Sequence, residues 1–209
     1  MQPFTTVTGP GVVLDRDNID TDQLIPARFM KRSRTEGYGD QLLRDLRFDE
    51  DGEPDPAFPL NRLAEPPVLM VAGKNFGCGS SREAAVYALV DHGIRVVVAA
   101  SFADIFRGNA GKNGLLTIAL GDAERARLVR FVERERASAE LGRLTIDLET
   151  QTIAGEGLET IEFDIDAGLK RRLLLGLDEL SETLEDEPMI TAFETRHFAE
   201  RPWVVPANR

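Results

Sequence analysis

The chain has 209 residues, a net charge of −11, a single cysteine and two histidines. This length suits one domain with a sizeable core, and the acidic charge excludes nonspecific binding to nucleic acid or to an anionic membrane. One cysteine excludes a disulfide framework and a cysteine-ligated zinc or iron–sulfur site, so we expect no metal on this chain. No run is long enough to span a membrane and the N-terminus lacks signal-peptide features, so we expect a cytoplasmic protein.

The first predicted strand, residues 11–15, leads into an acidic turn. The carboxylates of this turn are Asp15, Asp17, Asp20 and Asp22. Their spacing does not follow an EF-hand loop, and no glycine or distal glutamate completes one. We therefore expect these side chains to cap backbone groups and to order the loop rather than to bind calcium.

An apolar segment, residues 24–30, is followed by three cations within residues 31–34. Two interpretations remain open for this basic segment: a solvated turn, or a mobile loop that meets an acid substrate or an acidic partner. Residues 37–46 are predicted to form a short helix. Residues 48–66, which begin with an acidic, proline-containing stretch, are predicted to be a surface loop or insertion.

A buried strand at 67–72, a glycine-rich turn at 73–83, a helix at 84–90 and a β-branched strand at 94–100 follow. Together they predict a right-handed βαβ unit with parallel strands. Either Ser80 or Ser81 is the predicted N-cap of the helix, with Glu83 completing a capping box.

The glycine-rich turn has the features of an anion site. Its glycines allow close backbone approach, the helix N-terminus favours negative charge, and Arg82 adds a planar fork suited to a carboxylate. It matches neither a Walker loop nor the dinucleotide fingerprint. The pattern therefore favours a small acid held by serine and arginine, although an ordinary capped turn is equally compatible with it.

The rest of the chain alternates short helices and strands. We predict a helix at 101–107 that is capped by Ser101 and broken by glycines at 108–114, a strand at 115–120 and a helix at 123–140. Antiparallel strands are predicted at 144–148, 152–153 and 161–165, and helices at 167–175, 177–184 and 188–200. The predicted fold class is α/β with layered mixed sheets and flanking helices, in one domain spanning 1–209 whose helical C-terminal extension is 166–209. His92 and His197 are expected at helix ends or on the surface, and Cys78 is expected as a small packed residue.

Several segments resemble the small-subunit family of 3-isopropylmalate dehydratase in the aconitase superfamily. The matching stretches are residues 17–26, 75–83, 101–106, 112–116, 175–184 and 190–194. The resemblance implies a swivelling β/β/α domain, equivalent to the last domain of aconitase but on a separate chain. It also implies a hydro-lyase of leucine biosynthesis, active as a heterodimer with a large subunit that carries a [4Fe-4S] cluster, with no cofactor on this chain.

The same resemblance implies roles for particular residues. Ser80 is expected to be the catalytic base, acting as an alkoxide, and Ser81 and Arg82 are expected to bind the carboxylate of a dicarboxylic hydroxy acid. The loop after Pro26 is expected to select the substrate. Its candidate substrate-binding residues are Arg28, Phe29, Met30 and Lys31.

Two departures from the family pattern leave the substrate open. Ala84 stands where many members have histidine, and residues 108–111 lack the usual Asn-Asn-Cys-Phe run. A related dehydratase acting on citraconate, 2-methylmalate or 2,3-dimethylmalate is the first alternative. A non-catalytic anion-binding module is the second.

Overall fold

The computed structural model describes residues 1–31, 33–137 and 142–204, and it divides into two units, Met1–Gly176 and Leu177–Arg209. The strands of the first unit are β1 (Thr6–Leu14), β2 (Leu69–Ala72), β3 (Val96–Ala99), β4 (Leu116–Ala119), β5 (Arg143–Asp147), β6 (Thr152–Gly155) and β7 (Leu158–Glu162). Its helices are α1 (Thr21–Leu24), α2 (Arg44–Arg47), α3 (Glu83–His92), α4 (Asp104–Lys112), α5 (Asp122–Ala137) and α6 (Ala167–Leu175). Short 3₁₀ turns lie at Ala27–Lys31, Arg34–Glu36, Gly39–Gln41 and Pro59–Arg62.

The described strands form one mixed sheet in the order β4-β3-β2-β1-β5-β6-β7. Strand β1 belongs to both halves of this sheet. Its residues 11–14 pair in parallel with β2, whereas residues 6–10 pair antiparallel with β5. The predicted α/β class, with parallel strands first and an antiparallel set later, is therefore confirmed, and β1 joins the two sets.

The parallel strands separate two hydrophobic cores because successive strand residues face opposite sides. Met70 and Ala72 point into a core formed with α3, α4 and the segments before β2. Leu69 and Val71 point into a second core, which also contains residues of α5 and of the antiparallel strands β5–β7. The antiparallel set thus shares a core with the second face of the parallel strands, which is the layered arrangement predicted.

The predicted βαβ unit is present as β2-α3-β3, with β2 and β3 parallel neighbours. Helix α3 buries Ala85, Val86, Ala88 and Leu89 on one face. It ends at Gly93, whose φ of 108° is in the left-handed region that glycine adopts without a Cβ penalty.

Two local predictions were wrong, and a third holds only in part. Helix α4 begins at Asp104 and continues through Gly108 and Gly111, so these glycines do not break it. Gly111 lies against Leu169 of α6 so closely that a Cβ would overlap that side chain, which accounts for a glycine inside a helix. The segment 37–46 forms a 3₁₀ turn and the beginning of α2 rather than one helix. Within 48–66, Phe58 and Leu60 are buried in the first core, so this segment is only partly a surface loop.

His92 closes α3, as predicted, and its Nδ1 lies 3.1 Å from the carbonyl oxygen of Gly39. Burial, followed by the charge of Arg47, lowers the pKa of His92, and the Gly39 carbonyl and Asp40 oppose this only in part. The unfolded chain therefore takes up a proton first as the pH falls below about 6.5. The stability that His92 contributes is present above that pH and is lost as the pH falls toward the pKa of the folded state.

We expect His92→Gln to flatten the pH dependence of stability in this window, because glutamine can donate to Gly39 but does not titrate. Urea denaturation at about pH 7.5 and about pH 5.5 measures the effect. The free energy of unfolding should change less in the variant than in the wild type. Equal changes in both proteins would contradict the assignment. Asp45, whose pKa is also lowered, contributes to both proteins alike.

The second unit consists of α7 (Glu179–Leu184), α8 (Glu187–Glu200) and a 3₁₀ turn at Pro202–Val204. The predicted C-terminal helices are therefore present, and His197 lies in α8 with its ring stacked 5.2 Å from that of Phe193. Among the described residues, no helix has the length and hydropathy needed to cross a membrane.

Candidate active site at the glycine-rich loop

Residues 73–82 form an extended loop between β2 and α3, held by two neighbouring segments. On one side, Gly77 N–H donates to Ile19 (2.8 Å) and Thr21 N–H donates to the carbonyl of Cys78 (2.9 Å). On the other side, Phe76 N–H donates to the carbonyl of Ser101 (3.0 Å). The hydroxyl of Ser101, predicted as a helix cap, instead accepts from Asn75 N–H at 2.9 Å. The loop is thus fixed by backbone bonds, as a rigid site requires.

The acidic turn supports this loop as predicted. Asp17 accepts from Lys74 N–H at 2.6 Å, and Asp20 caps α1 by accepting from Gln23 N–H at 2.7 Å. Asp15 and Asp22 instead form ion pairs, with Arg125 and Arg82. The turn comes close to the loop because β1 and β2 are parallel neighbours, so their carboxyl ends lie at one edge of the sheet.

Gly77 is a position at which the loop tolerates no side chain. Its φ is 75°, and a Cβ would overlap the ring of Phe106 in α4. We expect Gly77→Ala to lower the free energy of unfolding by about 3 kcal/mol, from the left-handed backbone and the overpacking together. Gly108→Ala is the matched control, because Gly108 lies inside α4 and a Cβ there meets nothing within 4 Å.

The control should be stabilised by about 0.5–1 kcal/mol, the usual gain from alanine in a helix. Urea denaturation of both variants measures the difference. Equal stability of the two variants would contradict the contact between Gly77 and Phe106.

The predicted capping box is wrong. Helix α3 begins at Glu83, its N-cap is Arg82 in an extended conformation, and no side chain caps it. The carbonyl of Ser80 accepts from the Thr21 hydroxyl at 2.8 Å, which holds Ser80 two residues before the cap position. The hydroxyls of Ser80 and Ser81 are therefore not used by the helix and remain available to a ligand.

The backbone N–H groups at the end of the loop are also unused. Those of Gly79, Ser80, Ser81 and Arg82 donate to no protein atom among the described residues. They lie at the N-terminus of α3, where the helix dipole favours negative charge. This arrangement can stabilise an alkoxide on Ser80 or a bound carboxylate, as predicted for an anion site.

Arg82 forms an ion pair with Asp22 that sequence reasoning missed. The side chain of Arg82 is 16% exposed, whereas that of Asp22 is 58% exposed. Only Nη1 of the guanidinium contacts Asp22, so its other N–H groups can meet a ligand. The parallel pairing of β1 and β2 was the signal that could have identified Asp22, because it brings residues 15–22 beside the loop.

A cavity of ≈ 230 Å³ opens at these groups. Among the described residues, its lining comprises Thr21, Gly77, Gly79, Ser80, Ser81, Arg82, Ala103, Asp104, Ile105, Phe106 and Asn109. The structure therefore brings the predicted Ser80, Ser81 and Arg82 together. It adds the first turns of α4, which sequence reasoning did not assign to the site. The volume suits a small acid rather than a nucleotide.

The four candidates of the loop after Pro26 lie outside this lining. Arg28 forms an ion pair with Asp45, and their hydrogen bonds raise the pKa of Arg28 and lower that of Asp45. Phe29 and Met30 are half-buried, with Phe29 packed against the first core, and Lys31 is exposed. These residues therefore present a separate surface, and their assignment to the substrate stays a prediction.

Arg34 attaches this loop to α3. It forms an ion pair with Asp91 at 2.7 Å, and its guanidinium carbon lies 4.1 Å from the centre of the Tyr87 ring. The pKa of Tyr87 is raised by burial and by the charge of Glu83. One helix thus carries the serine–arginine site at its beginning and the anchor of the loop near its end.

No group of three His, Cys, Asp or Glu side chains within 1–31, 33–137 and 142–204 is arranged to hold a metal ion. Cys78 is a half-buried free thiol in the loop. One cysteine without neighbouring metal ligands does not fit an iron–sulfur cluster among the described residues.

Comparison with known proteins gives a consistent picture. Residues 1–123 match the family model of the aconitase C-terminal domain, residues 134–167 match a model described as LeuD_N, and residues 183–207 match the C-terminal domain of the 3-isopropylmalate dehydratase small subunit. A 3-isopropylmalate dehydratase small subunit of Jannaschia is 46% identical over 98% of this chain and 100% of its own length. One from Shouchella clausii is 47% identical over 95% and 98%. The crystal structure of a 3-isopropylmalate dehydratase from Methanocaldococcus jannaschii is 26% identical, with a TM-score of 0.61 over 90% of this chain and 99% of that one.

Proposed function

We propose that this chain is the small subunit of the hydro-lyase that interconverts 2-isopropylmalate and 3-isopropylmalate in leucine biosynthesis. The proposal follows from its family, because the chain belongs to the 3-isopropylmalate dehydratase small subunits. The observation that carries the proposal is the cavity in which Ser80, Ser81 and Arg82 converge beside unused backbone N–H groups. These groups fit the carboxylate and the acidic proton of a hydroxy acid.

Dehydration of such an acid requires removal of the proton next to a carboxylate and loss of the hydroxyl group. Ser80 is the group that takes the proton. A serine hydroxyl is a weak base, so its alkoxide needs the free N–H groups, the helix dipole and the nearby guanidinium of Arg82. Ser81 and Arg82 hold the carboxylate, and Asp22 orients Arg82.

The hydroxyl group must leave with the help of a Lewis acid, and no metal-binding cluster lies within the described part of the chain. A large subunit in a heterodimer, carrying a [4Fe-4S] cluster, would supply a Lewis acid for that step. The cavity would then be completed by the partner, which would also exclude water from the alkoxide. We place the complex in the cytoplasm, because the enzymes for which its relatives are named act in biosynthesis.

The loop of Arg28, Phe29, Met30 and Lys31 is proposed to select the substrate side chain once the partner is bound. Half-buried Phe29 and Met30 suit an alkyl group, which favours isopropylmalate. The alternative acids, citraconate, 2-methylmalate and 2,3-dimethylmalate, differ mainly in the alkyl group that this loop would meet.

The test is reconstitution of the chain with a cluster-bearing large subunit under anaerobic conditions. We expect hydration and dehydration activity only in the mixture, with the highest kcat/KM on isopropylmalate. A higher kcat/KM on a methylmalate would identify that acid as the substrate and would leave the proposed dehydration chemistry unchanged. Absence of activity on every acid, despite formation of the complex, would favour the anion-binding module.

A further inference from the structure

One wall of the cavity is formed by α4, a helix that sequence reasoning did not assign to the site. Its side chains in the lining include Asp104, Ile105, Phe106 and Asn109. Asp104 and Ile105 are exposed at the rim, and Phe106 is buried beneath Gly77. Asn109 is half-buried and carries the one side-chain amide among the described lining residues. It is therefore the neutral polar group that α4 contributes.

The side-chain amide of Asn109 makes no hydrogen bond within the described part of the chain. The contrast with Asn113, one turn later, is informative. Asn113 donates to Glu83 at 2.7 Å and to the backbone carbonyl of Asn109 at 2.9 Å. A half-buried amide is normally paired, since its donors otherwise lose hydrogen bonds. The amide of Asn109 is thus kept for a ligand or for water.

The position of Asn109 relative to the serines is fixed from two directions. Asn113 links the end of α4 to Glu83, the first residue of α3, through the bond already described. Phe106 packs edge-on against Phe76 of the glycine-rich loop, with ring centres 5.2 Å apart. A site residue needs this support, because a hydrogen bond to a ligand is lost when the donor moves by about 1 Å.

The charges of the cavity define what Asn109 can bind. Arg82 is the single cation among the described lining residues, and part of its charge is already matched by Asp22. Asp104 adds a negative charge at the rim. A dicarboxylate brings two negative groups, of which Arg82 can hold one. The second is left for a neutral donor, and the unused loop N–H groups are assigned to the alkoxide of Ser80. The amide NH₂ of Asn109 provides two further N–H groups without adding another charge.

We propose that the side-chain NH₂ of Asn109 donates a hydrogen bond to the substrate carboxylate that Arg82 does not hold, and so makes the site selective for dicarboxylates. This inference rests on the proposed function, because it takes a dicarboxylic hydroxy acid as the ligand. It adds a residue of α4 to a site otherwise formed by the loop after β2.

Two inhibitors that lack the hydroxyl group test the inference in the reconstituted complex. Isopropylsuccinate retains both carboxylates, and 4-methylpentanoate is the same skeleton without the second one. Asn109→Ala should raise the inhibition constant of isopropylsuccinate by about 10- to 100-fold, which is the effect of losing a hydrogen bond to a charged group. The inhibition constant of 4-methylpentanoate should not change. Asn109→Asp, which has the same shape but repels a carboxylate, should weaken isopropylsuccinate more than Asn109→Ala does.

Asn61→Ala is the matched control, because Asn61 is also half-buried but lies outside the cavity lining and its amide donates to the carbonyls of Arg47 and Asp55. It should lower the melting temperature and leave the ratio of the two inhibition constants unchanged. Equal weakening of both inhibitors by Asn109→Ala, or no weakening of either, would overturn the inference.

The same comparison separates this inference from the proposed function. If the wild-type complex turns over no hydroxy acid, the proposed function fails. Calorimetric titration of the two inhibitors into the wild type and the Asn109 variants then decides the role of Asn109 alone, since it measures binding without turnover.

Discussion

Replacing Ser80 by alanine is expected to lower kcat of the reconstituted complex by about 10³-fold, the usual loss when a general base is removed. The hydroxyl of Ser80 is exposed in the cavity and is not used to cap α3. Its removal therefore deletes the proton acceptor and leaves the helix and the loop intact. Steady-state kinetics measure kcat and KM in both directions of the reaction.

The effect should appear in kcat rather than in KM, because Arg82 and Ser81 still hold the carboxylate. Association with the large subunit, measured by size-exclusion chromatography, should be unchanged. Thr8→Val is the control for loss of a hydroxyl: Thr8 is exposed on β1, and its hydroxyl pairs with that of Thr145 at 2.9 Å, away from the cavity. A Ser80→Ala variant within a factor of a few of wild-type kcat would exclude Ser80 as the base.

The fold was predictable where a pattern is local. The apolar strands, the amphipathic helices and the order of parallel and antiparallel segments are determined by hydrophobic periodicity, and the structure confirms them. Two serines and one glycine were misassigned because their roles depend on contacts distant in sequence. The hydroxyl of Ser101 accepts from Asn75 N–H, and the carbonyl of Ser80 accepts from the Thr21 hydroxyl. Gly111 packs against Leu169. A sequence window as short as one helix or strand does not contain both members of any of these pairs.

The candidate site was also predictable only where its residues are adjacent in the chain. Ser80, Ser81 and Arg82 are adjacent in the chain, so the loop motif and the family resemblance identify them together. Asp22 and Asn109 come from other elements, α1 and α4. They join the site only because β1 lies beside β2 and because α4 packs on Gly77. Predicting them requires the strand order, which periodicity does not determine.

Replacing Arg82 by lysine is expected to lower kcat/KM by about 10²-fold or more, because two charge-assisted hydrogen bonds to the substrate are worth roughly 1.5–3 kcal/mol each. The guanidinium holds Asp22 with Nη1 and can present its remaining N–H groups to a carboxylate at the same time. A lysine ammonium is a single point charge and cannot meet both groups in these positions.

The chain offers a closely matched control in Arg125→Lys. Arg125 is 17% exposed and pairs with Asp15, which is 53% exposed, so its ion pair has nearly the burial of the Arg82–Asp22 pair and uses the same acidic turn. Neither of these residues lines the cavity. Arg125→Lys should therefore change stability to a similar extent and leave kcat/KM unchanged, and equal kinetic losses in the two variants would assign both arginines a structural role.

Asp22→Asn separates orientation of Arg82 from its charge. The variant keeps the guanidinium of Arg82 but removes its ionic partner. We therefore expect kcat/KM to fall by about 10-fold, less than in Arg82→Lys, because the guanidinium is less well oriented. Adding Asp22→Asn to Arg82→Lys should then lower kcat/KM little further, because the lysine no longer depends on the carboxylate of Asp22. Additive losses in the double variant would mean that Asp22 acts on the substrate independently of Arg82.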